Sequence, residues 1–111
     1  SAGQRRVRLA LEVMEALHAE PVSISAICDR LDCSARSLQL AFLEYGLPSP
    51  HDVLTHIRLD RARSYLLEGT MNVTQAATEA GFVHMSRFSG LYMRAFGEYP
   101  VRTLGSRRSE Y

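Results

Sequence analysis

Few residues in this chain are typed and spaced for catalysis. His51 and His56 are five apart, so on a helix they miss the i, i+4 face on which a metal-binding pair sits. Cys28 and Cys33 stand in apolar or small-residue surroundings with no second pair at zinc-finger or ribbon spacing. They read as buried reduced thiols, although their places on either side of a turn leave a local disulfide open in an oxidising compartment. No glycine-rich phosphate loop occurs, and the serines stand at helix starts and exposed faces without a paired base and acid. The expectation is a protein that is not an enzyme, with no cofactor and no metal.

The chemistry that remains is that of arginine. All 13 basic residues are Arg and none is Lys, which suits bidentate contacts to phosphate or guanine; a genome rich in G and C would give the same bias. A net charge of +1 is low for a polyanion partner, so the distribution matters more than the sum. From Arg87 onward, Arg87, Arg94, Arg102, Arg107 and Arg108 stand against only Glu98 and Glu110. Most of the electrostatic footprint is expected there.

At 111 residues and 46% hydrophobic, the chain suits one compact domain, or two very small ones sharing a helix. Apolar residues fall in short helix-spaced groups, and no run nears the roughly 20 that a membrane-spanning helix needs. With no charged-then-apolar leader, the expectation is a soluble, cytoplasmic protein without membrane contact.

The pattern predicts an all-α chain of about seven helices. Ser1-Ala2-Gly3 has the small-residue character of an added remnant and is left out of the pattern, as is the polar tail, 106–111. Val7, Leu9, Ala10, Leu11, Val13, Met14 and Leu17 make a first amphipathic helix before Pro21. Ser23 caps a short helix carrying Ile24, Ile27, Cys28 and Leu31; Asp32-Cys33 turns the chain, and Ser34 caps a helix over 35–45 with Leu38, Ala41, Phe42 and Tyr45 on its inner stripe. Gly46-Leu47-Pro48 stops it. Ser49 as cap, Pro50 and Asp52 then start a long helix that Gly69 ends. At about 1.5 Å per residue it spans about 27 Å, enough to hold two small lobes apart. Asn72 with Gln75 makes a capping box, Gly81-Phe82-Val83 turns the chain again, and a helix over 84–96 carries Phe88, Leu91, Tyr92, Ala95 and Phe96 inward. Gly97 stops it, and Pro100 opens a short turn through Leu104.

The second half repeats the first. Ser23, Ile24, Ile27 and Leu31 match Asn72, Val73, Ala76 and Ala80; after one added residue, Leu38, Phe42 and Pro50 match Phe88, Tyr92 and Pro100. A repeat of this kind could be a helical packing module. The tight turn between a short and a longer helix is instead the helix-turn-helix outline, which holds the second helix forward for a major groove about 12 Å wide. The expected organisation is therefore 5–48 for the first unit with its bracing helix, 49–68 for the linker helix and 70–105 for the second unit.

With these elements placed, Gly81-Phe82, Ser86-Arg87-Phe88-Ser89, Tyr92, Phe96-Gly97 and Pro100 resemble the C-terminal signature of the AraC/XylS family of bacterial regulators. Ser34, Arg36, Leu38, Phe42, Ser49 and Pro50 resemble its first unit, and Arg58, Leu59, Ala62 and Leu66 its linker. The resemblance runs from about Val7 to Leu104. It implies a double-stranded DNA-binding module with recognition helices over about 35–45 and 84–96 in successive major grooves, one chain reading a long asymmetric site. It also implies a separate effector-binding or dimerisation domain in the intact regulator, and contact with RNA polymerase.

Helical geometry puts Arg36, Leu40 and Leu43 opposite the core stripe of the first recognition helix, with Ser37 and Gln39 on the flanks. Similarity to the family makes Arg36, Gln39 and Leu40 base readers. Arginine suits guanine and glutamine adenine, at about 1–3 kcal/mol of discrimination each. Leu40 departs from the polar or basic residue often found there and can offer only apolar contact, such as to a thymine methyl. In the second helix Ser86, Gly90 and Met93 lie opposite the core, and the family match adds His84, Met85, Arg87 and Ser89 as DNA-facing positions. Arg87 carries the most weight, since Gly90 has no side chain to read with. Ser34 and Asn72, as caps, leave helix N-terminal amides for phosphate. Arg94 and Arg58 are further phosphate candidates; Arg58, Arg61 and Arg63 could equally pair with Asp52, Asp60 and Glu68. The competing reading is a helical protein-interaction module without DNA binding, in which Leu40, Leu43 and Met93 meet a protein.

Overall fold

The computed structural model describes residues 1–109, with side chains through residue 106. Seven helices follow in order: α1 (Ala2–Leu17), α2 (Ile24–Leu31), α3 (Ala35–Glu44), α4 (Pro50–Glu68), α5 (Val73–Glu79), α6 (Met85–Phe96) and α7 (Pro100–Ser109). No strand occurs among the described residues, and the all-α expectation holds. Helices α2 to α5 each start at a capping side chain. Ser23 Oγ accepts from Ala26 N at 3.0 Å, Ser34 Oγ from Ser37 N at 3.0 Å and Ser49 Oγ from Asp52 N at 3.2 Å. Asn72 and Gln75 close the expected reciprocal box, at 2.8 and 3.0 Å.

The chain divides into two compact units, Ser1–Ile57 and Arg58–Tyr111. In the first, Val7, Ala10 and Met14 of α1, Ile27 and Cys28 of α2, and Leu38, Ala41 and Phe42 of α3 form a core that Leu54 of α4 completes. In the second, Leu59, Ala62 and Leu66 of α4 pack with Ala76, Ala77, Ala80, Phe88, Tyr92 and Leu104. The apolar side chains of α4 are thus shared out, Leu54 to one core and the last three to the other. Each core has its own opening and closing helix: Val7, Ala10 and Met14 share the i, i+3, i+7 spacing of Leu59, Ala62 and Leu66, and Leu54 follows Pro50 as Leu104 follows Pro100.

The turn of each unit is the same piece of backbone. Cys33 N donates to Cys28 O at 3.0 Å, with Asp32 in the left-handed region at φ 52°; Phe82 N donates to Ala77 O at 2.9 Å, with Gly81 at φ 106°. Both satisfy carbonyls that the end of a helix leaves open. The residue added in the second unit, Val83, is exposed.

The structure departs from the sequence pattern in four places. α1 begins at Ala2, with Ser1 Oγ accepting from Gln4 N at 3.2 Å and bonded to Tyr45 Oη at 3.1 Å, so the first three residues belong to the fold. Tyr45 is exposed, because it is the C-cap of α3 at φ −95°, ψ 16°, off the helical stripe. Ala95 is exposed as well. α7 runs past Leu104 to Ser109, into the expected polar tail, whose side chains from 107 on lie outside the described residues, as do 110 and 111.

Candidate nucleic-acid interface

α3 is anchored by Leu38, Ala41 and Phe42, which are buried. Four-residue periodicity then turns Arg36, Gln39, Leu40 and Leu43 away from that core, and all four are exposed. Ser37 is half-buried, its hydroxyl accepting from Ser34 Oγ at 2.9 Å while its N–H bonds the same oxygen. Ser34, itself exposed, is therefore committed to starting the helix. Opposite its core stripe α3 offers one guanidinium, one amide and two bare hydrocarbons, Leu40 at 50% and Leu43 at 70% exposure, with the exposed carboxylate of Glu44 at its end.

α6 is anchored by Phe88 and Tyr92, both fully buried. Phe82, Phe88, Tyr92 and Phe96 stack in series, with centroid separations of 4.8, 5.6 and 4.7 Å, at the distances where tilted and edge-on rings attract. Outward stand His84, Ser86, Arg87 and Gly90, all exposed. Met85 and Ser89 are half-buried, and Met85 packs against the core. His84 is the N-cap residue and makes no side-chain cap bond. A Cβ placed on Gly90 would meet nothing within 4 Å, so nothing inside the chain requires a glycine there. The two sets of expected readers belong one to each unit.

The expected phosphate contacts divide by environment. Arg94 is exposed in the last turn of α6, where its charge also favours the helix dipole. Asn72 is exposed but its Oδ1 is engaged by Gln75 N. Arg58 is half-buried, and that burial pulls its guanidinium below the ordinary arginine value. Arg63 lies over the Phe96 ring at 5.2 Å, a cation–π contact that holds it against its own unit.

Behind α6 lies a polar chain that helix periodicity does not reveal. Tyr92 Oη and Thr103 Oγ1 are 2.8 Å apart and buried, and Thr103 donates to Glu98 Oε2. It ties the recognition helix to α7 and to the turn between them. Burial is the main reason that the Tyr92 hydroxyl is held above its ordinary value. The repeat carried a signal for it, because Thr103 sits where Val53 sits in the first unit, three residues after the proline.

Cys28 and Cys33 are both free thiols, the first buried and the second half-buried. Burial, then the neighbouring Cys33 and Asp29, pushes the Cys28 thiol up, so it is a poor nucleophile. Among the described residues no group of three or more His, Cys, Asp or Glu could hold a metal ion, and no helix is long and apolar enough to cross a membrane.

Residues 27–106 match the family model of a helix-turn-helix domain. A probable thc operon regulatory protein of Rhodococcus erythropolis is 35% identical over 101 residues, covering 88% of this chain and 30% of that protein. The transcriptional activator RhaS of Escherichia fergusonii is 37% identical over 82 residues, 74% of this chain and 30% of that one. The chain spans about 30% of the length of these curated relatives. Among solved structures, a probable AraC family transcriptional regulator from Rhodopseudomonas palustris matches with a TM-score of 0.84 at 30% identity, over 93% of this chain and 97% of that one. An AraC-type DNA-binding regulator from Chromobacterium violaceum matches at 0.85 and 29% identity, over 94% and 93%.

Proposed function

The chain belongs to the AraC/XylS family of helix-turn-helix transcription regulators, and from that premise we propose that it binds a specific double-stranded DNA site through α3 and α6, each in its own major groove. The observation that carries the reading is the repeated outward face. In both units the core holds a helix by two large buried side chains, Leu38 and Phe42 or Phe88 and Tyr92, and leaves a guanidinium exposed on the first turn, Arg36 two residues before Leu38 and Arg87 one residue before Phe88. Arg36 and Gln39 supply the polar reading in the first unit, and Arg87 with Ser86 and Ser89 in the second. Arg94 and the helix N-terminal amides that the caps Ser34 and Asn72 leave facing outward supply phosphate contacts, with Arg58 supporting from α4.

Two successive grooves lie about 34 Å apart along the duplex, so the proposed site is long and asymmetric, with one block of bases for each unit. The relatives are named as regulators and activators. By that analogy the intact regulator, which we place in the cytoplasm, carries a separate effector-binding or dimerisation domain, and RNA polymerase is a second partner. The competing protein-interaction reading is separated by salt. DNA binding weakens steeply as salt rises, because phosphate neutralisation releases counterions, whereas an apolar protein contact does not.

The test is binding of purified chain to a cognate duplex and to single-base variants. Arg36→Ala and Arg87→Ala are each expected to lose about 1–3 kcal/mol of discrimination at one base pair. Unchanged discrimination in both overturns the assignment of these helices as readers.

A further inference from the structure

We propose that α3 recognises the 5-methyl group of a thymine through Leu40, flanked by Leu43, about two base-pair steps from the pair that Arg36 reads. This rests on the DNA-binding reading above and names part of the site that it implies. Leu40 and Leu43 lie on the same outward face as Arg36, half and more than half exposed. Among the four bases, only thymine presents a hydrocarbon group in the major groove. Against any other base edge, a leucine would strip water from nitrogen or oxygen atoms and return no hydrogen bond.

Spacing supports the same occupant. Four residues of helix separate Arg36 from Leu40 by about 6 Å along the axis, close to two base-pair steps of about 3.4 Å. The charged neighbour thus fixes the register in which the hydrocarbon meets the duplex. The second unit has no equivalent of Leu40. Gly90 stands at that repeat position, with open space where a Cβ would be, so the second unit has no side chain there to meet a methyl group.

The experiment begins by selecting duplexes from a random pool with the purified 111-residue chain. The first unit's block is the one whose preference Arg36→Ala relaxes. Each thymine in that block is then replaced by deoxyuridine, which lacks the methyl group and keeps the same hydrogen-bonding edge. At one position the expected loss of affinity is about fourfold, the worth of one buried methyl-sized group. Leu40→Ala, at an exposed position that leaves the core intact, brings the thymine-to-uracil ratio at that position to about one. The proposal is overturned if the block contains no thymine, if no uracil replacement matters, or if the ratio survives in Leu40→Ala. Insensitivity to uracil with specific binding intact overturns this proposal alone. Failure to bind any duplex overturns the DNA reading itself.

Discussion

The first unit starts its recognition helix at a capping serine and packs it with Leu38 and Phe42, whereas the second starts at an uncapped His84 and packs with a series of four aromatic rings. The turns also differ in content over the same backbone, Asp32 in one and Gly81 in the other. What the difference teaches is that the plan resides in positions and the strength resides in what fills them. The first unit adds a side-chain cap to the Leu38 and Phe42 packing that holds α3. The second relies on tertiary packing and the Tyr92, Thr103, Glu98 chain to hold α6.

Core truncation should separate the units most. Phe88→Ala is expected to destabilise the second unit by about 3–5 kcal/mol, because it removes two ring contacts as well as buried area. Leu38→Ala, at the matching position, is expected to cost about 2–5 kcal/mol without the aromatic share. Amide hydrogen exchange resolved helix by helix reads both; a larger loss of protection for Leu38→Ala in its own unit would break the comparison.

The polar chain comes next. Thr103→Val, which copies the first unit's Val53, leaves Tyr92 Oη buried without its partner and should cost about 1–3 kcal/mol. Tyr92→Phe together with Thr103→Val should recover part of that loss, since both ends of the bond are then apolar. The alkaline limb offers a second readout. The folded state raises the Tyr92 hydroxyl above its ordinary 10.0, so it binds that proton more tightly than the unfolded chain does. The resulting stability is full below pH 10 and is lost as pH rises through the raised value. Denaturant titrations should show this loss in the native chain and less of it in Tyr92→Phe.

The helix starts are expected to give the smallest difference. Ser34→Ala should cost about 1 kcal/mol, whereas His84→Ala should cost little and His84→Ser should gain a comparable amount. Thermal unfolding orders the three variants.

Much of this architecture was legible from short-range signals. Ser23, Ser34, Ser49 and Asn72 are caps because a side-chain oxygen three residues back reaches an open amide, a constraint that survives without tertiary context. The outward faces of α3 and α6 follow from the same local geometry. Less legible were the features set by tertiary packing. α7 passes Gly105 because Thr103 and Leu104 are buried against the second core, an anchoring of two residues too short to show as a stripe. Tyr45 and Ala95 leave their stripes near the helix ends, and the sharing of α4 between cores is visible only when Val7, Ala10 and Met14 are set beside Leu59, Ala62 and Leu66. Among the candidate readers, the outward direction of Arg36, Gln39, Leu40 and Gly90 could be read from the sequence; the packing of Met85 and the half-burial of Arg58 could not.

Selection of duplexes from a random pool by the purified chain, followed by binding of the enriched site across a salt series, tests the central claim most directly. The account predicts a bipartite site with two blocks centred about 10–10.5 base pairs apart, bound with an affinity that falls steeply as salt rises. Enrichment of no sequence, or binding indifferent to salt, would contradict it.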